Sequence, residues 1–246
     1  MSRVHLLGIP IDAVSKTEAL ERLRQMVSSP GHYHVATPNN EMLVEASRNP
    51  LLQAVLRTTR LNLPDSTGLL FAARLTGQSL PERVTGVDTV TTLLKDLPSD
   101  IKVFLLGAKP GVAARAGEML QKMNPSLTIV GTECGSPKES DAADILRKIN
   151  DSGTHLLLVA FGSPAQELWI GKYLNQLSSV RVAMGVGGTF DFIAGEVRRA
   201  PIIFRTIGLE WLWRLCMQPW RINRIFTALV VFPWLVLRHG KHTPIH

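Results

Sequence analysis

A chain of 246 residues, 45% apolar and 19% charged, is long enough to bury one sizeable core and too apolar to remain disordered. Its net charge of +7 is carried entirely by the segment from Val197 onward, where Arg198, Arg199, Arg205, Arg214, Arg221, Arg224, Arg238 and Lys241 face a single acid, Glu210. The neutral remainder argues against a nucleic-acid partner, which needs a wider basic face, and the distant Cys134 and Cys216 form no pairing motif and read as reduced thiols.

The first ten residues lack the charged region and apolar run of a signal peptide. Ser15-Lys16-Thr17-Glu18 forms a capping box that opens a helix reaching about Val27. Residues 32–37 read as a strand ending in the turn Thr37-Pro38-Asn39-Asn40, with a helix from Glu41, and a further helix runs from Ser66 to near Gly77. Residues 102–106 are a strand, Gly107-Ala108-Lys109-Pro110-Gly111 a tight turn, and residues 112–123 a helix. A strand over 127–130 and a helix containing 141–150 follow. Residues 155–161 are almost continuously apolar, as in a central strand buried on both faces. Gly162-Ser163-Pro164 turns into a helix with Pro164 near its first turn, and the last strand, 180–186, runs into Gly187-Gly188-Thr189. The longest apolar run, 225–237, is interrupted by Pro233 and falls short of the roughly 20 residues that span a bilayer.

Strands alternating with helices predict a Rossmann-like α/β body, residues 1–196, with a parallel sheet and helices on both faces. Residues 197–246, with four of the five tryptophans (Trp211, Trp213, Trp220, Trp234), read as a basic amphipathic helical appendage. Ligands of such sheets bind at the carboxyl ends of the strands, so the turns after Ala36, Leu106, Phe161 and Val186 should converge.

Several groups there can carry chemistry. The turn holding Gly107 and Lys109 has the backbone N–H groups that attract phosphate, although a helix cap explains it as well. Gly185-Val186-Gly187-Gly188-Thr189-Phe190-Asp191 resembles half a dinucleotide fingerprint, with Phe190 where the third glycine belongs. A nicotinamide-dependent oxidoreductase stays open but disfavoured, and a loop for a uridine or a diphosphate fits as well. Asp65, just ahead of a helix, is either its N-cap or a general base for a sugar hydroxyl. No Asp-x-Asp pair is present to hold a metal, so arginines, Arg83 and those of the tail, would balance a diphosphate leaving group. Gly162, Ser163, Gln166 and Glu167 bring a hydroxyl, an amide and a carboxylate to a strand end, where a capped helix start is the competing reading. The interleaved Trp, aliphatic and Arg residues of 211–226 match a helix lying on an anionic membrane surface. A core helix, a homo-oligomer contact and a non-catalytic membrane scaffold are the alternatives.

Taken together, the motifs resemble the WecG/TagA/CpsF family, glycosyltransferase family 26. They run in family order: Thr37-Pro38-Asn39-Asn40-Glu41, Pro64-Asp65-Ser66-Thr67-Gly68, Arg83-Val84-Thr85-Gly86-Val87-Asp88, Phe104-Leu105-Leu106-Gly107-Ala108-Lys109-Pro110, Phe161-Gly162-Ser163-Pro164-Ala165-Gln166-Glu167, the Gly185–Asp191 loop, Arg198-Arg199-Ala200-Pro201 and Gly208-Leu209-Glu210-Trp211-Leu212-Trp213-Arg214-Leu215. The chain departs from the common pattern at Ala165, where many members carry lysine, and at Ser66, where the second motif often has glycine. The resemblance implies an inverting, metal-independent enzyme without a cofactor. Such an enzyme moves an N-acetylmannosamine-type sugar from a UDP-sugar to an undecaprenyl-diphosphate-linked acceptor, peripherally on the inner face of a bacterial cytoplasmic membrane. It implies Asp65 as base and Thr37 and Asn39 as orienting residues. Arg83, Gln166 and the glycine-rich loops, with Thr189 and Asp191, would contact substrate, and Arg214, Arg221 and Arg224 would meet a diphosphate from the appendage.

Overall fold

The computed structural model describes residues 2–202, 204 and 210–244, the side chains of Glu210, Arg214 and Arg221 excepted. Six strands, β3 (Tyr33–Ala36), β4 (Leu61–Asn62), β5 (Lys102–Gly107), β6 (Thr128–Glu133), β7 (Leu156–Ala160) and β8 (Val182–Gly185), form one sheet in the order β4-β3-β8-β7-β5-β6. Every pairing in it is parallel. Alternate residues of a strand face opposite sides, and the core divides accordingly. Leu156 and Leu158 of β7 join one hydrophobic cluster while Leu157 and Val159 join another. All five residues of β7 are buried, as its unbroken apolar run requires.

Helices α1 (Lys16–Ser28), α5 (Gly86–Lys95), α6 (Val112–Met123) and α9 (Thr189–Ile193) cover the first face. The second is covered by α7 (Glu139–Ser152) and α8 (Ala165–Tyr173). The capping box of α1 forms as expected, with the Glu18 N–H donating to Ser15 Oγ at 3.2 Å and the Ser15 N–H to Glu18 Oε2 at 2.7 Å. Strand β6 runs further than its apolar residues indicate. Its polar end, Gly131-Thr132-Glu133, pairs with β5 after a register shift, and Gly131 makes room for the Phe104 ring.

A third cluster lies beside the sheet. It joins an antiparallel hairpin, β1 (Arg3–Leu6) and β2 (Ile9–Asp12), to α2 (Asn40–Arg48), α3 (Pro50–Thr58) and α4 (Thr67–Leu75). The chain leaves β5 for α6 on the first face and β7 for α8 on the second, and it leaves β8 and β3 for different clusters as well. Such divergence opens a crevice at the carboxyl edge of a parallel sheet.

The C-terminal segment begins with α10 (Glu210–Met217) and a tight turn at Pro219–Arg221. Next come α11 (Ile222–Phe226), a π-helical stretch (Thr227–Val231) and α12 (Phe232–His239). Pro233 has no N–H and its ring crowds the preceding turn, and the wider π geometry accommodates it there. Phe232, Leu235 and Val236 of α12 are buried in the third cluster. Beyond α12, the carbonyls of Gly240 and Lys241 accept from the N–H groups of Leu7 and Gly8, each at 3.0 Å. Among the described residues from 210 to 231, none is buried. No helix among the described residues is long and apolar enough to cross a membrane.

Candidate active site

Parallel pairing of β3 with β4 continues past the strands themselves. The Leu63 N–H donates to Ala36 O at 2.9 Å and the Asp65 N–H to Pro38 O at 3.0 Å, which pins the two exit loops together. Ser66, not Asp65, occupies the N-cap position of α4, so the capping role weighed for Asp65 does not apply. The Asp65 carboxylate instead accepts the N–H of Gly86 at 3.3 Å, the first residue of α5. It therefore lies by the starts of two helices, whose positive ends attract an anion.

Around it stand side chains with defined supports. Asn39 caps α2, its oxygen accepting from the Met42 N–H at 3.0 Å. Asn40 accepts from Ser66 Oγ at 2.6 Å and donates to the Ala228 carbonyl of the π stretch at 2.9 Å, tying the C-terminal segment to this edge. A side chain at Gly68 would collide with the Asn40 amide, which explains the glycine of Pro64-Asp65-Ser66-Thr67-Gly68. Beside Arg83, Glu82 is held below the ordinary carboxylate range chiefly by the Lys16 backbone N–H, 2.7 Å away, which fixes this loop to the start of α1. Arg199 reaches Asp88 of α5 at 2.6 Å, and Asp88 also accepts from the Thr85 hydroxyl at 2.6 Å.

Asn39, Asn40, Asp65, Ser66, Arg83 and Arg199 line one cavity of about 500 Å³. Asn39, Asp65, Arg83 and Arg199 contribute its polar part, and α4 with the C-terminal helix contributes apolar walls. In the sequence Arg199 is one of the tail arginines that could balance a diphosphate and a member of Arg198-Arg199-Ala200-Pro201. Its pairing with α5 is invisible until the fold joins them.

The other expected residues form an adjoining row along the sheet's carboxyl edge and do not line this cavity. Thr37 is buried and donates to Gly185 O at 3.2 Å, and its methyl lies beside Gly86, so it connects the Asp65 neighbourhood to the row. Gln166 and Glu167, expected to meet substrate, have inward partners instead. They are 2% and 0% exposed. Gln166 Oε1 accepts from Gly162 N at 3.2 Å and Gly187 N at 2.9 Å, clamping two loops, while its amide donates to Glu167 Oε1 at 3.0 Å. The other Glu167 oxygen meets His34 Nε2 at 2.7 Å. Gly185 is also interior: a β-carbon there would overlap the Glu167 carboxylate, so its glycine serves packing. Thr189 is buried and donates to Val186 O at 2.7 Å. Lys109, Ser163 and Gly188 are exposed, and Gly162 and Gly187 face open space. The Asp191 carboxylate lies beside Gly188, and Gly107 backs onto the Ala160 backbone.

From the C-terminal segment, Arg224 pairs with Glu41 on the cavity wall at 2.5 Å. The side chains of Arg214 and Arg221 lie outside the described residues.

A family model, described as "Glycosyl transferase WecG/TagA/CpsF family", matches residues 4–244. A relative from Bacillus spizizenii, an N-acetylglucosaminyldiphosphoundecaprenol N-acetyl-beta-D-mannosaminyltransferase, is 36% identical over 208 residues, covering 84% of this chain and 79% of the relative. By motif order, fold and near-complete coverage, the chain belongs to the WecG/TagA/CpsF family of glycosyltransferases.

Proposed function

We propose that the protein is an inverting glycosyltransferase that moves an N-acetylmannosamine-type unit from a UDP-sugar to an undecaprenyl-diphosphate-linked sugar, in the synthesis of a cell-surface polysaccharide or teichoic acid. The observation that carries this reading is the Asp65 carboxylate on the wall of a cavity shared with Asn39, Arg83 and Arg199. In the reaction, Asp65 takes the proton of the acceptor hydroxyl, whose oxygen attacks the anomeric carbon from the face opposite the nucleotide. The new C–O bond forms as the bond to the β-phosphate oxygen breaks, and UDP leaves with the electron pair. The guanidinium groups of Arg83 and Arg199 on the cavity wall are suited to the diphosphate charge. The proposed reaction uses no metal, the diphosphate charge being met by guanidinium groups. The nicotinamide reading is disfavoured by the helix after the Gly185 loop, α9, which has only five residues. The basic, tryptophan-bearing stretch from 210 to 231 is suited to an anionic membrane surface, where a lipid-linked acceptor resides.

The test is mass spectrometry of products from a panel of UDP-sugars and a short-chain N-acetylglucosaminyl diphosphate acceptor. UDP-N-acetylmannosamine is expected to add one N-acetylhexosamine, equally with and without EDTA, and the one-bond C–H coupling at the new anomeric carbon in NMR is expected to show inverted configuration. A folded protein that transfers no sugar from any UDP donor would overturn the reading.

A further inference from the structure

The cavity that holds Asp65 is amphipathic along its length. Its polar part carries two guanidinium groups, Arg83 and Arg199, beside the carboxylate. Its remainder is walled by Phe71 and Leu75 of α4 and by Leu229, Phe232, Pro233 and Val236 of the C-terminal helix. Phe71 and Leu229 are 59% and 43% exposed, so apolar surface is held open at the cavity mouth rather than closed into the core. The same helix turns Phe226, Val230 and Trp234 outward. Exposed apolar surface on this scale marks a partner site.

We propose that the groove between α4 and the π stretch binds the first isoprene units of the acceptor's lipid, with the diphosphate at Arg83 and Arg199 and the sugar hydroxyl at Asp65. The proposal rests on the transferase reading above and adds a hydrocarbon subsite to it. The lining selects the occupant: two guanidinium groups at one end, that of Arg199 oriented by Asp88, and hydrocarbon walls at the other match the diphosphate and the first isoprenes of a polyprenyl diphosphate. A cavity of about 500 Å³ holds a head and the start of a chain, and leaves the rest of an undecaprenol in the bilayer. The π geometry has a part in this. It carries the helix past Pro233 while keeping Ala228 O on the Asn40 amide, so the apolar wall stands at a fixed distance from Asp65.

The experiment compares N-acetylglucosaminyl diphosphates bearing a methyl or a farnesyl chain, without vesicles and below micelle-forming concentrations. For the full chain, kcat/KM is expected to be on the order of tenfold higher with farnesyl, a gain of about 1.4 kcal/mol. In the double variant Phe71→Ser, Leu229→Ser the farnesyl-to-methyl ratio is expected to fall close to one; both positions are exposed, and circular dichroism checks the fold. A benzophenone-tipped prenyl diphosphate should crosslink to peptides containing residues 67–75 and 227–236. Equal rates on both acceptors, a farnesyl gain that needs vesicles, or an unchanged ratio in the folded variant would overturn the groove. Crosslinking in the groove without transfer to either acceptor would keep the lipid site and remove the transferase reading; absence of crosslinking there removes the site.

Discussion

Helix α12 and the stretch just before it, residues 210–231, are alike in composition, both basic and both apolar, yet they pack in opposite ways. In α12 the apolar residues Phe232, Leu235 and Val236 share one stripe and are buried against the hairpin, α2 and α4. In the preceding stretch Trp220, Ile222, Phe226, Leu229 and Val230 remain exposed. The contrast teaches that hydrophobicity alone does not decide burial in this segment. A stripe with a facing partner in the chain becomes core, and apolar residues without one become a surface for something else.

Substitutions should divide along the same line, into those that cost activity and those that cost stability. The largest effect on activity is expected from Asp65→Asn. It keeps an oxygen for the Gly86 N–H and removes the base, so kcat should fall by about 100- to 10,000-fold with unfolding unchanged. Phe232→Ala should cause the largest loss of stability. Phe232 is 1% exposed, and urea unfolding should register a loss of about 3–5 kcal/mol. If it registers little, α12 is not anchored and the comparison breaks. Arg199→Ala should lower kcat/KM by about 100-fold, and Asp88→Asn by less, because Asp88 orients the guanidinium without lining the cavity. Trp220→Ala sharpens the contrast: at 75% exposure it should shift stability by no more than about 0.5 kcal/mol and weaken sedimentation with anionic vesicles several-fold.

The smallest expected effect lies at the far end of the sheet. Burial, with Arg181 and Lys102 nearby, lowers the pKa of His155 from its ordinary 6.5. Its Nδ1 accepts the Lys102 N–H at 3.2 Å, which only an unprotonated nitrogen can do. A depressed histidine stabilises the fold fully above 6.5, and that contribution is lost as pH drops through the lower folded value. Thermal unfolding of His155→Gln on either side of 6.5 should show a flatter acid slope than the unsubstituted chain.

Much of the body was legible because buried parallel strands are written as apolar runs. Residues 155–161 and 102–106 stand out for that reason. The hairpin over Arg3–Asp12 was not legible. Its turn puts Leu7 at a φ of 51°, without the Asn-Gly or Asp-Gly pair that announces such turns, and Pro10 sits inside β2. Helix α5 hides as well, since it opens on glycine and is rich in Val and Thr, which favour helices weakly. In the site, Asp65 could be picked out as a carboxylate at a turn, but its contact with the start of α5 rather than a cap on α4 could not. Gln166, Glu167 and Gly185 look like a binding loop in one dimension. Only the adjacency of β7 and β8 turns them into an internal clamp, because the space that a missing side chain leaves at Gly185 is filled from another element.

The hydrogen bonds from Leu7 and Gly8 to Gly240 and Lys241 stitch the far end of the C-terminal segment to the opening hairpin, and Arg199 with Asp88 fastens its near end. Residues 210–231 thus behave as a ribbon buckled on both sides and not as a loose end. A segment held by the body at each end gives up less conformational freedom when a greasy substrate settles against it than a loose tail would.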